Sequence, residues 1–224
     1  MIDTILFDFD GTVMDTNDVI IQSWQHTFRT LRGEEASTEE ILATFGETLD
    51  FSMENFFPEV SLDVSLPIYR GYQRDNFLSS IHLVPGIREL LDGLMERGYD
   101  MSLVTSRLRY TTDQALEEFD LGKYFKHVIT ADDVTRPKPD PQAVDMALEA
   151  MGSGREKALM IGDTIHDILC ARNAGVVSVL VDWSITLGGS NIDDFEEDQR
   201  PDYIIRSPGE LMDLLEELNE GPAR

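Results

Sequence analysis

Two periods of apolar and polar residues alternate along this chain, and each marks a different kind of element. Short apolar runs of strand length occur at 5–7, 101–104, 127–130, 158–161 and 176–181, bare of the strict in–out alternation of a half-exposed strand. Between them, apolar positions recur at helical steps. Ile87, Leu90, Leu91, Leu94 and Met95 form one such stripe, opened by Pro85-Gly86 and stopped by Gly98. Further helices are expected at 111–119, closing near Gly122, and at 141–151, with Asp140 as cap and Pro141 in the first turn. Others are expected at 165–174, ended by Gly175, and from Ser207-Pro208 onward, with Leu211, Leu214, Leu215 and Leu218 on one face. Strands alternating with helices predict an α/β fold whose parallel sheet is covered on both faces.

From 16 to 82 only the helical period persists. Val19, Ile20, Ser23, Trp24, Thr27 and Phe28 share a face of a helix at 18–31. Ser37-Thr38-Glu39-Glu40 has the chemistry of a helix start before Ile41 and Leu42, and 51–57 and 66–78 supply more amphipathic helix. Residues 16–82 are therefore expected to form a helical subdomain inserted after the first strand, with 1–15 and 83–224 as the sheet-containing core. The acidic, glycine-containing stretch 182–202 is expected to be a solvated loop.

Composition narrows the function classes. The 224 residues, 42% hydrophobic and 27% charged, suffice for one large domain or one domain plus a smaller one. Lys+Arg number 18 against 43 Asp+Glu, a net charge of −25, which opposes binding to nucleic acid or an anionic membrane. No apolar run approaches the roughly 18 residues that cross a bilayer, and the chain starts a strand without the marks of a signal peptide. A single cysteine, Cys170, excludes an internal disulfide, is expected in a buried helix, and fits a cytoplasmic location.

The chemistry concentrates at strand ends, where open parallel sheets place their sites. The run at 5–7 leads into Asp8, Phe9, Asp10 and Gly11. Alternate residues of a strand share a face, so Asp8 and Asp10 point the same way, roughly 7 Å apart. Two such carboxylates repel and lose hydration unless a cation or protons compensate. The strand at 101–104 ends in Thr105-Ser106, the strand at 158–161 leads to Asp163 with Asp167 one helical turn on, and the proline-rich loop 136–141 carries Lys138. This ordered set suits phosphoryl transfer to a carboxylate. Mg²⁺, which favours a few oxygen ligands, would offset the repulsion of anion by anion, with Asp8 and Asp163 as side-chain ligands. One aspartate of the pair would attack phosphorus and the other would serve as acid and base; the pair by itself leaves open which does which. The Thr105 hydroxyl and backbone N–H groups around Phe9 and Ser106 would bind phosphate oxygens, and Lys138, held between prolines, would neutralise charge.

DFDGT, VTSR, KP and GDTIHD, in that order, resemble the four signatures of the haloacid dehalogenase-like hydrolases, over Asp8 to Asp167. The resemblance implies a Rossmann-like three-layer core with the helical insert as an α-helical cap. It implies Asp8 as nucleophile, Asp10 as general acid/base, Thr105 as the phosphate-binding hydroxyl and Lys138 as the neutralising lysine. It implies metal ligation by Asp8, Asp163 and the Asp10 backbone carbonyl, with Asp167 and Gly11 supporting the site.

Within that family, the second aspartate argues against a dehalogenase. Ile20 stands where sugar phosphomutases of the beta-phosphoglucomutase type carry histidine, and the absence of lysine from 16–83 removes the phosphonate-cleaving chemistry. The resemblance thus implies a Mg²⁺-dependent phosphatase of the phosphoglycolate phosphatase and pyrophosphatase branch, acting on a small phosphorylated substrate. Alternatives are a phosphomutase, a phospho-aspartate signalling module, against which the length and the insert argue, and a phosphate-binding protein without turnover. Arg29, Arg32, Arg70, Arg74, Arg107 and Arg109 are candidate substrate-anion contacts, Gly46-Glu47-Thr48 is a candidate cap loop, and the four histidines lack zinc-site spacing.

Overall fold

The computed structural model describes residues 1–221. The chain divides into two compact units, Met1–Asp15 with Leu83–Arg224, and Thr16–His82; residues 222–224 of the first lie outside those described.

The first unit is built on six parallel strands among the described residues. In chain order these are β1 (Thr4–Phe7), then, after the short β2 (Met14–Asp15) and β3 (His82–Leu83) that bracket the insertion, β4 (Asp100–Val104), β5 (His127–Ile129), β6 (Ala158–Gly162), β7 (Val177–Val181) and β8 (Tyr203–Ile205). Their order across the sheet is β5-β4-β1-β6-β7-β8, parallel throughout. Every residue of β1 is buried, as a continuous apolar run requires when helices cover both faces. On one face, Leu6, Val104 and Met160 pack against Ala143, Val144 and Ala147 of the helix Gln142–Met151 and Cys170, Ala171 and Ala174 of the helix Ile165–Ala174. By the strand's two-residue period Phe7 faces the other way, with its ring 6.1 Å from that of Phe125, edge to face. Strands β4 and β5 are added on one side of β1 and β6 to β8 on the other, so the order reverses beside β1. A crevice at the carboxyl ends of β1, β4 and β6 follows from that reversal.

The edge strand β8 escapes the apolar pattern. It has three residues and follows the polar segment 182–202, and its position is secured from outside by Asp202, whose Oδ2 accepts the Ser178 N–H and hydroxyl, each at 2.8 Å. The 141–151 helix starts one residue later than expected, with Pro141 at the cap position and the Asp140 carboxylate accepting the Gln142 N–H at 3.0 Å. Among the described residues no helix is long and apolar enough to cross a membrane.

The second unit holds α1 (Asn17–Arg32), α2 (Thr38–Leu42), α3 (Leu49–Phe56) and α4 (Leu62–Asn76). Its core is aromatic: Trp24 lies 5.0 Å from Tyr69 and 5.5 Å from Phe56, and Phe28 lies 4.9 Å from Phe57, all tilted or edge-on as ring quadrupoles favour. Ser37 and Glu40 form the expected capping box at α2. α4 begins earlier than its apolar stripe suggests, at Leu62, and carries Pro67 inside it. The remaining helices of the first unit are α5 (Ile87–Glu96), α6 (Arg109–Glu118), α7 (Gln142–Met151), α8 (Ile165–Ala174) and α9 (Glu210–Glu220).

Candidate active site

Asp8 is the first residue past β1, and its N–H still donates to Ile161 of β6 at 2.9 Å. The ladder therefore fixes the backbone up to the carboxylate. Beyond it the chain turns sharply: Val13 and Met14 N–H both donate to the Phe9 carbonyl, at 3.0 and 2.9 Å, and Gly11 N–H to Met14 at 2.7 Å. Gly11 has φ +73, and a Cβ there would overlap the Asp163 carboxylate, so glycine is needed both for conformation and for room.

Lys138 reaches this point from the loop before α7. Its ammonium donates to Asp8 Oδ1 at 2.7 Å, to Asp167 Oδ1 at 2.5 Å and to the Val104 carbonyl at 3.4 Å, and is buried. Asp167 sits in the first turn of α8, where its other oxygen accepts the Thr164 N–H and hydroxyl at 3.0 and 2.7 Å, a capping box in which aspartate stands for glutamate. Asp163, just past β6, accepts Ser184 Oγ–H at 2.6 Å on Oδ2, while the Thr186 hydroxyl lies 2.7 Å from its carbonyl and 3.1 Å from Oδ2.

Carboxylate oxygens of Asp8, Asp163 and Asp167 thus come within 4.8 Å of one another, all three buried. One ammonium faces three carboxyls, and the electrostatics register the imbalance. Burial drives the Asp8 carboxyl well above the usual range; Lys138 opposes this, and Asp167, Asp163 and Asp10 add to it. Burial and then the Asp167 charge push Asp163 up to about 7, against the hydrogen bonds from Ser184 and Thr186. For Lys138, burial works against the charged form, but Asp167 and Asp8 outweigh it and raise its pKa. The donor set is all oxygen, anionic and undercompensated, which fits a hard divalent cation.

Asp10 lies apart from this cluster. Arg107 grips it in a fork, Nε at 3.0 Å from each oxygen and Nη2 at 2.6 Å from Oδ1. The Arg107 side chain is 5% exposed and that of Asp10 27%. Thr105, buried at the end of β4, hydrogen-bonds Ile129 through its N–H at 2.9 Å and accepts the Arg107 N–H on its hydroxyl at 3.1 Å; Ser106 beside it is exposed. The other five candidate arginines have acidic neighbours near them: Arg29 with Glu35, Arg32 with Glu59, Arg70 with Asp50, Arg74 with Asp75 and Arg109 with Asp133. His166 lies in α8, outside the carboxylate cluster.

The segment 182–202, expected as solvated loop, is corrected at its start: Ser184 is 5% exposed and bonded to Asp163. The strand-end rule, applied to the strand at 177–181, points to Ser184 and Thr186, but the surrounding acidic residues mask that signal. Nothing local announces the Arg107–Asp10 pair, whose members stand 97 residues apart.

The model of the haloacid dehalogenase-like hydrolases matches residues 5–181. A pyrophosphatase PpaX of Anoxybacillus flavithermus is 33% identical over 96% of this chain and 97% of its own length, and a pyrophosphatase PpaX of Halalkalibacterium halodurans 32% identical over the same shares. Among solved structures, a haloacid dehalogenase-like family hydrolase from Streptococcus pneumoniae superposes with a TM-score of 0.78 at 25% identity, covering 96% of this chain and 98% of its own.

Proposed function

This chain belongs to the haloacid dehalogenase-like hydrolases and is a phosphatase of that family; on that premise we propose that it is Mg²⁺-dependent and hydrolyses pyrophosphate, or a small monoester of the phosphoglycolate type, through an aspartyl phosphate on Asp8. The observation that carries the proposal is the placement of Asp8, buried between Lys138 and Asp163. It supports the different roles that the resemblance implies for the two aspartates: Asp8 shares the carboxylate cluster, and Asp10 stands outside it on the Arg107 fork.

In this reading Asp8 supplies the oxygen that attacks phosphorus, and Lys138 offsets charge on both the carboxylate and the incoming phosphoryl group. The Thr105 hydroxyl and the N–H groups of Phe9 and Ser106 hold phosphoryl oxygens. Asp10 protonates the leaving oxygen and then takes a proton from the water that releases phosphate. Both Asp10 oxygens accept from Arg107, so proton delivery requires the fork to loosen. Asp8, Asp163 and the Asp10 carbonyl would hold Mg²⁺, which when bound supplies the positive charge that lets two anions approach. Asp167 and Gly11 keep Lys138 and Asp163 in place. Selection among substrates is assigned to the helical unit Thr16–His82 acting as a cap. The pyrophosphatase names of relatives aligned over nearly their full length support pyrophosphate as the first substrate to try.

The test is phosphate release from pyrophosphate, phosphoglycolate, sugar phosphates and nucleotides, with and without chelator. Release that needs Mg²⁺, favours pyrophosphate or phosphoglycolate, and falls on the order of 10⁴-fold in Asp8→Asn is expected. Full activity in that variant, or indifference to chelator, refutes the mechanism.

A further inference from the structure

Ser184 and Thr186 lie on the loop after β7, and they hold one oxygen of Asp163 and leave the other alone. We propose that this hydroxyl clamp makes Asp163 a one-oxygen ligand and thereby biases the site toward Mg²⁺ over Ca²⁺, an inference that rests on the metal reading above.

The hydrogen-bond directions follow from proton counting. Ser184 Oγ accepts the Thr186 N–H at 3.3 Å, and its own proton goes to Asp163 Oδ2 at 2.6 Å. Thr186 has a single hydroxyl proton with three acceptors in reach, the Asp163 main-chain carbonyl at 2.7 Å, Ser184 Oγ at 2.8 Å and Asp163 Oδ2 at 3.1 Å, so Oδ2 takes the least share of it. Oδ2 also packs against the Gly11 backbone, so closely that a Cβ there would overlap it and come within 3.2 Å of Ser184 Oγ. The loop is fixed on both sides of the clamp. The Trp183 indole N–H lies 3.3 Å from the Thr12 carbonyl, and Gly188 N–H donates back to Ser184 at 3.1 Å, in a turn so tight that a Cβ on Gly188 would overlap the Ser184 carbonyl.

Mg²⁺ takes six ligands in a small octahedron and is content with one oxygen per carboxylate, whereas Ca²⁺ takes six to eight and readily uses both oxygens of one. A carboxylate with one oxygen occupied serves the first ion and denies the second its extra ligand.

The experiment uses the metal-stripped full chain. Bound Mn²⁺ is measured from the loss of its free-ion spin resonance signal, with Mg²⁺ and Ca²⁺ as competitors, and Asp163→Asn supplies the background from surface carboxylates. In Ser184→Ala, Ca²⁺ is expected to gain on Mg²⁺ by roughly 10-fold relative to the unaltered chain, the scale on which groups behind a ligand act. Thr186→Val is expected to shift the ratio the same way by less, and it carries the test if circular dichroism shows Ser184→Ala unfolded. An unchanged Ca²⁺/Mg²⁺ ratio in folded variants, or an equal loss of both ions, overturns the clamp and leaves the metal site standing. Failure of the unaltered chain to bind Mn²⁺ above the Asp163→Asn background overturns both.

Discussion

At the scale of single residues, the site is organised by a shortage of positive charge. Lys138 is the cation that touches both Asp8 and Asp167, and its position 130 residues from Asp8 makes it a tertiary bolt as well as a chemical group. Its replacement by methionine keeps the bulk of the side chain and leaves two buried carboxyls face to face. Breaking a buried pair from one side costs about 3–5 kcal/mol, so urea unfolding of the metal-free Lys138→Met chain at neutral pH is expected to show a loss of that order. Turnover is expected to fall about 10²–10³-fold, as it does when a stabilising donor is removed from a transition state. Unaltered stability in this variant would mean that the two carboxyls do not depend on the ammonium. The alternation of Asp8, Phe9 and Asp10 and the glycine that follows are short-range features, and the placement of Asp8 just past a buried strand was readable from them. The different partners of the two aspartates, Lys138 for Asp8 and Arg107 for Asp10, were not, because both partners lie far away in sequence.

At the scale of elements, the β6–α8 corner carries two of the acids. β6 ends in Gly162, and the first turn of α8 folds back so closely that a Cβ on Gly162 would overlap Asp167. Gly162→Ala is therefore expected to push that turn away, disrupt the Thr164–Asp167 cap and cost about 1–3 kcal/mol, the usual range for overpacking. Thermal unfolding measures the loss, and a midpoint equal to that of the unaltered chain would show that the corner has slack. The acids of this corner were legible beforehand, since Asp163 after an apolar run and Asp167 one helical turn on are local marks, but the Thr164–Asp167 cap emerged only in the structure. β8 and the Ser184–Thr186 segment were not, because a three-residue edge strand and a hydroxyl aimed at a distant carboxylate leave no period in an acidic stretch.

At the scale of the whole molecule, a chain of net charge −25 places some of its acidic groups in its interior, so its stability is coupled to protons and cations. Asp163 holds its proton to about pH 7 in the folded chain against an ordinary value of 3.8, and Asp8 is shifted the same way. Between those values the folded metal-free chain keeps protons that the unfolded chain has lost. The stability these groups contribute is thus present below pH 4 and drains away as pH rises toward 7. A divalent cation binds the deprotonated form, so its stabilising effect should grow over the same interval. The gain in unfolding midpoint on adding Mg²⁺ is expected to be larger at pH 8 than at pH 5.5, and equal gains would contradict the assignment of Asp8 and Asp163 as ligands. The amino-acid order alone determined the alternation of strands and helices, the helical insertion and the acids at the strand ends, because periodicity, caps and turns act over a few residues. Only the tertiary structure decided which carboxylate meets the lysine, which meets the arginine and which is clamped by hydroxyls, because those choices depend on how strands far apart in the chain are ordered side by side.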